Sequence, residues 1–209
     1  MKVVYFLVML FPFIGITSCE DKDPDNLSEP VGWFMAGSRP QNYKIGVDNL
    51  NSQKGQRSGF IESVADTSSG FGTMMQYCSE RKFKGARVRM TGYLQSVGSD
   101  STITTMWIRV DDFVKRVTAD FDNMYNRPNT GIYSWTKCEI VFDVPDATSV
   151  IYYGFILDGV GKVWIDNISF ETVSSSTFKT AYYLDLPFPD EYQIPPDLPE
   201  EPVNLSFEE

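Results

Sequence analysis

The 209 residues are 42% apolar and 14% aromatic, enough to fill one good core. The formal charge of -10 belongs to the two ends: from Val31 to Leu184 the 16 basic and 15 acidic residues nearly cancel, which excludes the basic body that a nucleic-acid partner requires. Histidine is absent, so Ser-His-Asp and Cys-His catalysis and imidazole-held zinc are excluded as well.

In chain order, residues 1–18, "MKVVYFLVMLFPFIGITS", carry one Lys and then an apolar run too short to span a bilayer, and read as a signal peptide. "ITSCEDKD" follows, with small residues leading up to a Cys. This pattern resembles the lipobox of bacterial lipoproteins, which implies acylation of Cys19 and a stable anchor in the membrane. The acids Glu20, Asp21 and Asp23 resemble the export tag of Bacteroidetes surface lipoproteins. The two resemblances together imply a lipid anchor in the outer membrane with the chain exposed at the cell surface. Residues 19–30 are expected to be an acidic tether.

Residues 31–173 show no helical repeat. Short segments of alternating polarity separated by Gly, Pro, Asn and Asp predict strands at 43–50, 58–64, 71–79, 86–96, 103–111, 117–123, 137–144, 149–157 and 162–172. Alternation places Val88, Met90 and Leu94 inside, with Thr104, Met106, Ile108 and Val110, and with Cys138, Ile140, Phe142 and Val144. "VIYYGFIL" is apolar on both faces, as a central strand covered twice would be. In "GKVWIDNISFE" the same alternation puts Trp164, Asp166, Ile168 and Phe170 on one side, leaving a carboxylate among apolar neighbours. About nine such strands predict an all-β fold, a two-sheet antiparallel β-sandwich or jelly roll.

"GWFMAGS", "FGTMMQ", "FDNM", "DVP" and "VWIDNISFE" together resemble galactose-binding-like jelly-roll domains, the fold of many carbohydrate-binding modules. That resemblance implies a non-catalytic module with a glycan as ligand. It also implies a structural calcium held by Asp166, with Glu208 as a second oxygen donor; loop amides satisfying Asp166 are the alternative.

The outward set Trp107, Arg109 and Asp111, beside Tyr93 and Arg89, is the candidate ligand-binding face, since sugar rings stack on aromatic planes while Arg and carboxylate groups take their hydroxyls. Coverage of this face by the tail is the competing reading. Arg127, Tyr133 and Trp135 form a second candidate, or a loop pinned by its own aromatics. "ERKFKGARVR" reads as one solvated strand face balanced by acids elsewhere. Asp120 and Asp122 share a face, the spacing of an inverting glycosidase pair, while Asp111 and Asp112 point apart. Cys78 and Cys138 are either a disulfide or two buried thiols.

Residues 174–209 hold six prolines, and eight acids fall between Asp185 and Glu209. Tyr182, Leu186, Phe188, Tyr192 and Ile194 are too apolar for a solvated linker, so the tail is expected to lie along the body. "PVNLSFEE" resembles a jelly-roll opening strand, which implies an edge strand given to its own sandwich or to a partner in a swapped dimer, unless the match is fortuitous. Three function classes remain: a glycan-binding envelope lipoprotein, an adaptor that binds an envelope protein, and a carboxylate-dependent glycoside hydrolase.

Overall fold

The computed structural model describes residues 29–64 and 70–209. The expected signal peptide, Cys19 and nearly all of the expected acidic tether lie outside the described residues. Among the described residues the chain forms twelve strands and one 3-10 turn, Pro40–Asn42. No helix among them is long and apolar enough to cross a membrane.

The strands are β1 (Phe34–Gly37), β2 (Tyr43–Asp48), β3 (Ser58–Ser63), β4 (Phe71–Ser79), β5 (Arg87–Gly98) and β6 (Ile103–Asp112). They continue with β7 (Val117–Asp122), β8 (Asn129–Thr130), β9 (Tyr133–Asp143), β10 (Ser149–Asp158), β11 (Gly161–Val173) and β12 (Tyr182–Pro187). One sheet has the order β1-β4-β10-β6-β7-β12, with β8 beside β6, and the other β2-β3-β11-β5-β9. All pairings are antiparallel. All nine expected strands are present within a few residues of their predicted bounds, and the all-β sandwich stands.

The core lies between the sheets where alternation sends it. Val88, Met90 and Leu94 of β5, with Ile140 and Phe142 of β9, meet Met106, Ile108 and Val110 of β6 and Ile151, Tyr153, Phe155 and Leu157 of β10; all are fully buried. Fully burying side chains of this size stabilises the fold by about 1.5–3 kcal/mol each. Gln76 extends the core chemistry, accepting from the buried Tyr153 hydroxyl at 2.7 Å and donating to the Val203 carbonyl at 2.9 Å.

Alternation fails at one place in β11. The register slips between Asp166 and Ser169 because Asn167 takes a left-handed backbone conformation, φ 50°. Asn tolerates that region, and the extra residue inverts every later side chain. Val163 and Ile165 therefore point inward before the slip, and Ile168 and Phe170 after it. Trp164 and Asp166 face outward, which corrects the expectation that the four residues share a side. Trp164 donates its indole N–H to Asp48 at 2.8 Å, and Lys162 lies over the Phe60 and Trp164 rings.

The tail docks, though in another way than expected. β12 pairs with β7 at the sheet edge. Residues 188–203 then cross the outer side of the seven-stranded sheet, where the Ser79 N–H donates to the Pro199 carbonyl. The last residues do not form an edge strand. They turn at Asn204, join β11 through one backbone hydrogen bond from Ile168 to Leu205, and insert the fully buried Phe207 into the core. Gly59 makes this insertion feasible, since a Cβ there would strike the Phe207 ring. Tail acids also neutralise the basic run after β4: Arg81 pairs with Glu200, and Lys82 with Glu201 at 2.6 Å.

Candidate functional site

The outer face of the seven-stranded sheet carries the most distinctive chemistry. Cross-strand pairing aligns Arg109, Tyr152 and Tyr77 in one row. Trp107, Gly154, Met75 and Phe34 form the next, and Thr105, Ile156, Thr73 and Ala36 the third.

Trp107 is half-buried, and its indole N–H donates to Thr73 Oγ1 at 2.8 Å. Thr73 in turn donates to the Phe155 carbonyl at 2.8 Å. Trp107 is on β6 and Thr73 on β4, two strands away at about 4.8 Å per strand, so the indole must lie flat across β10. Its cross-strand neighbour there is Gly154, which has no side chain to lift it. A side chain at Gly154 would also collide with the Met74 carbonyl oxygen and the Met75 Cβ. The result is a planar aromatic surface locked by its own N–H and partly exposed.

The neighbouring row is aromatic as well. The Arg109 guanidinium lies 4.5 Å over the Tyr152 ring, Tyr152 is 5.8 Å from Tyr77, and Tyr77 is 5.7 Å from Phe34. Arg109 pairs with Asp111 at 3.0 Å. Burial pushes the Asp111 carboxyl above the ordinary carboxylate range, against the pull of Arg109 and of the Thr118 hydroxyl. Above these groups sits Tyr192 of the tail. Its hydroxyl is 2.7 Å from Arg109 Nη2, 3.0 Å from Asp111 Oδ2 and 2.6 Å from the Tyr152 hydroxyl. The tail thus covers the Arg109–Asp111 end of the face and no tail ring contact reaches Trp107.

The five expected ligand-binding residues are not together. Trp107, Arg109 and Asp111 are on β6, whereas Tyr93 and Arg89 are on β5 in the other sheet. Alternation marks a side chain as outward; it does not tell which sheet's outer face receives it. Arg89 is held by Glu171 at 2.8 Å and by Glu139. Tyr77, Tyr152, Gly154, Thr73 and Tyr192 were missed. The apolar outward side of "VIYYGFIL" was the available signal for Tyr152 and Gly154.

Asp166 and Glu208 do come together, lining a cleft of about 270 Å³ with Lys54, Gly55, Asn167 and Ser206. Their donors are those of a loop anchor. Asp166 Oδ2 accepts the Gln53 and Lys54 N–H groups at 2.8 Å each, and Oδ1 accepts that of Asn167 at 2.6 Å. Glu208 Oε1 accepts from Gln56 at 2.8 Å and Arg57 at 3.1 Å. These N–H groups fill Asp166 Oδ2 and Glu208 Oε1 and take part of Asp166 Oδ1, leaving the two carboxylates far short of the roughly six to eight oxygens that calcium takes, with N–H dipoles turned positive end toward the cleft. Among the described residues no three His, Cys, Asp or Glu are grouped to hold a metal. The pair does not fit a calcium cage, and the amides answer the burial that pushes the Asp166 carboxyl upward.

Arg127 forms a two-pronged pair with Asp122, at 2.6 and 3.0 Å, and Tyr133 bonds Thr104, so this loop is pinned by its own side chains. Cys78 and Cys138 are buried free thiols in different sheets. Burial pushes Cys78 up to about 12.

The two-sheet antiparallel sandwich is a jelly-roll fold, one that carbohydrate-binding modules share. The solved structures agree. The C-terminal family 22 carbohydrate-binding module of Clostridium thermocellum Xyn10B matches with a TM-score of 0.51 at 16% identity, over 71% of this chain and 89% of that one. The CBM22-1 xylan-binding domain of Paenibacillus barcinonensis Xyn10C matches at 0.50 and 15%, over 72% and 92%. The enzymatically active domain of bacteriophage CBA120 tailspike protein 4 matches at 0.53 and 15%, over 69% of this chain and 20% of that one. At these identities the likeness is one of fold. No family model matches the chain. Among curated proteins, the uncharacterized HTH-type transcriptional regulator YbfP of Bacillus subtilis (strain 168) is 37% identical over 179 residues. The match covers 85% of this chain, which spans 57% of that protein's length. No α-helix, and so no helix-turn-helix, occurs among the described residues here.

Proposed function

We propose that this chain is a non-catalytic glycan-binding module, carried on a lipoprotein that Cys19 anchors in the bacterial outer membrane, facing outward. The observation that carries the glycan reading is the Trp107 indole laid flat across Gly154 and locked by Thr73. A fixed aromatic plane offers the C–H face of a sugar ring a contact that costs little ordering entropy. The xylan-binding neighbour supports this ligand class through shared fold. The lipid anchor rests on the "ITSC" sequence and the acids after it.

A glycan array followed by calorimetry on the best hit tests the ligand. Binding is expected, with Trp107→Ala weakening it about tenfold while the melting temperature of a Trp107→Phe control stays near that of the parent. Absence of binding to any glycan, or equal binding by Trp107→Ala, would refute the reading. Incorporation of labelled palmitate, lost in Cys19→Ala, tests the anchor.

A further inference from the structure

We propose that Arg109, Asp111, Tyr152 and Phe113 form a second sugar subsite, contiguous with Trp107, and that Tyr192 of the chain's own tail occupies it. This deepens the glycan reading of the Trp107 face and rests on it. Tyr192 is a flat six-membered ring bearing one hydroxyl. The ring stacks on Phe113 at 5.6 Å with 26° between planes, and the Arg109 guanidinium lies 5.8 Å from it. The hydroxyl meets an Arg donor, a carboxylate and a second hydroxyl. A stacking ring together with Arg and carboxylate partners is also what a sugar ring and its hydroxyls require.

Two observations set this arrangement apart from a plain anchor. Arg109 Nε is buried and has no hydrogen-bond partner, so Tyr192, with a single hydroxyl, leaves one donor of the subsite unused. A ligand with several hydroxyls fills it. The second is position. Residues 107, 109 and 111 share one face of β6, so Arg109 lies about 7 Å from Trp107 along the strand, within reach of one extended glycan.

The tail is built to give way there. Backbone bonds hold it on either side, from Phe188 to the Arg116 carbonyl and from Ser79 to the Pro199 carbonyl. Between them Asp190, Glu191, Gln193, Ile194, Pro196 and Asp197 face solvent, and one side chain, Arg116, holds the stretch by donating to the Pro189 carbonyl, by a long 3.4 Å bond to the Tyr192 carbonyl and by pairing with Asp190. Tyr192 can therefore leave, giving up the long Arg116 bond and its contact with Phe188, while both ends stay attached. A site open in only a fraction of molecules has its affinity reduced by that fraction, so removing the plug tightens binding without any new contact.

Calorimetry on the full chain with xylotriose, xylohexaose, cellotriose and cellohexaose tests this. Tyr192→Ala is expected to tighten oligosaccharide binding about tenfold or more, and Arg109→Met in that background is expected to cancel the gain. Tyr192→Phe, which keeps the ring and drops the hydroxyl, serves if Tyr192→Ala melts too low, and should shift affinity in the same direction by less. Unchanged or weaker hexasaccharide binding in these variants, with dependence on Trp107 intact, overturns the subsite and leaves the glycan reading standing. No binding by the parent or any variant overturns both.

Discussion

The Phe207 ring stacks on the Trp33 indole at a centroid separation of 5.4 Å, so the last residues of the chain close the sandwich beside its first strand. The Trp33 N–H donates to the Asn204 carbonyl at 3.1 Å, and the Asn204 side chain donates to the Val31 carbonyl at 3.1 Å. Removing a fully buried Phe costs the transfer energy of its atoms plus a cavity. Phe207→Ala is expected to destabilise the fold by about 3–5 kcal/mol. Differential scanning calorimetry checks this, and truncation after Ser174 should destabilise at least as much. An unchanged melting temperature in either would mean that the tail does not dock.

Asp166 supplies the acceptor for three backbone N–H groups, so its removal leaves three part-buried donors without their partner. Asp166→Ala should cost about 1–3 kcal/mol and increase hydrogen exchange at Gln53 and Lys54, while Asp166→Asn, which keeps an oxygen, should cost less. Since backbone N–H groups already hold both Asp166 oxygens and Glu208 Oε1, neither calcium nor a chelator is expected to shift the parent's melting temperature. A rise of several degrees with millimolar calcium would show that the loop rearranges around the ion.

Much of this architecture was legible because strands with one buried face alternate strictly. Val88, Ile108, Ile140 and Phe142 were placed inward by parity and are all fully buried. Parity broke at Asn167, where one left-handed residue reverses the faces and nothing in the composition of "WIDNIS" announces it. It was also silent about which sheet a strand joins, and this separated Tyr93 and Arg89 from Trp107. The platform itself was half legible. Trp107 was marked as outward, but its orientation depends on Gly154 and Thr73, which come near it only through pairing of β6, β10 and β4. The tail's aromatic content predicted contact with the body, while its points of attachment depend on distant partners.

Asp143 gives stability a pH dependence. It accepts from Arg87 at 2.7 and 2.9 Å and lies 3.5 Å from Lys179. The Arg87 hydrogen bonds hold its carboxyl below the usual carboxylate range. A group whose folded value is below its unfolded value of about 3.9 contributes stability that is whole above that value and disappears as pH falls through the folded one. The carboxylate is 42% exposed, so solvent screening limits the contribution to about 1 kcal/mol or less. Melting curves from pH 6 to pH 2 should show Asp143→Asn losing less stability on acidification than the parent. Parallel curves would remove Asp143 from the acid response.

Asp120 and Asp122 share a face as a glycosidase pair would, yet each is committed elsewhere. Lys179 Nζ is 3.0 Å from both Asp120 oxygens, one of which also accepts the Asp143 N–H at 2.8 Å. Asp122 holds Arg127 with both oxygens and accepts the Met124 N–H at 2.9 Å. A general acid must be free to reach the glycosidic oxygen and hand it a proton, and the oxygens of both groups are already taken by Lys179, Arg127 and backbone N–H groups. Substitution should therefore be read in stability. Asp122→Ala removes the carboxylate that pairs with Arg127 and accepts the Met124 N–H, and should cost about 1–3 kcal/mol. Asp120→Asn should leave glycan affinity at the Trp107 face unchanged. Reducing-sugar assays on the same oligosaccharides check the chemistry: turnover by the parent that Asp120→Asn abolishes would make this pair catalytic and displace the binding-module reading.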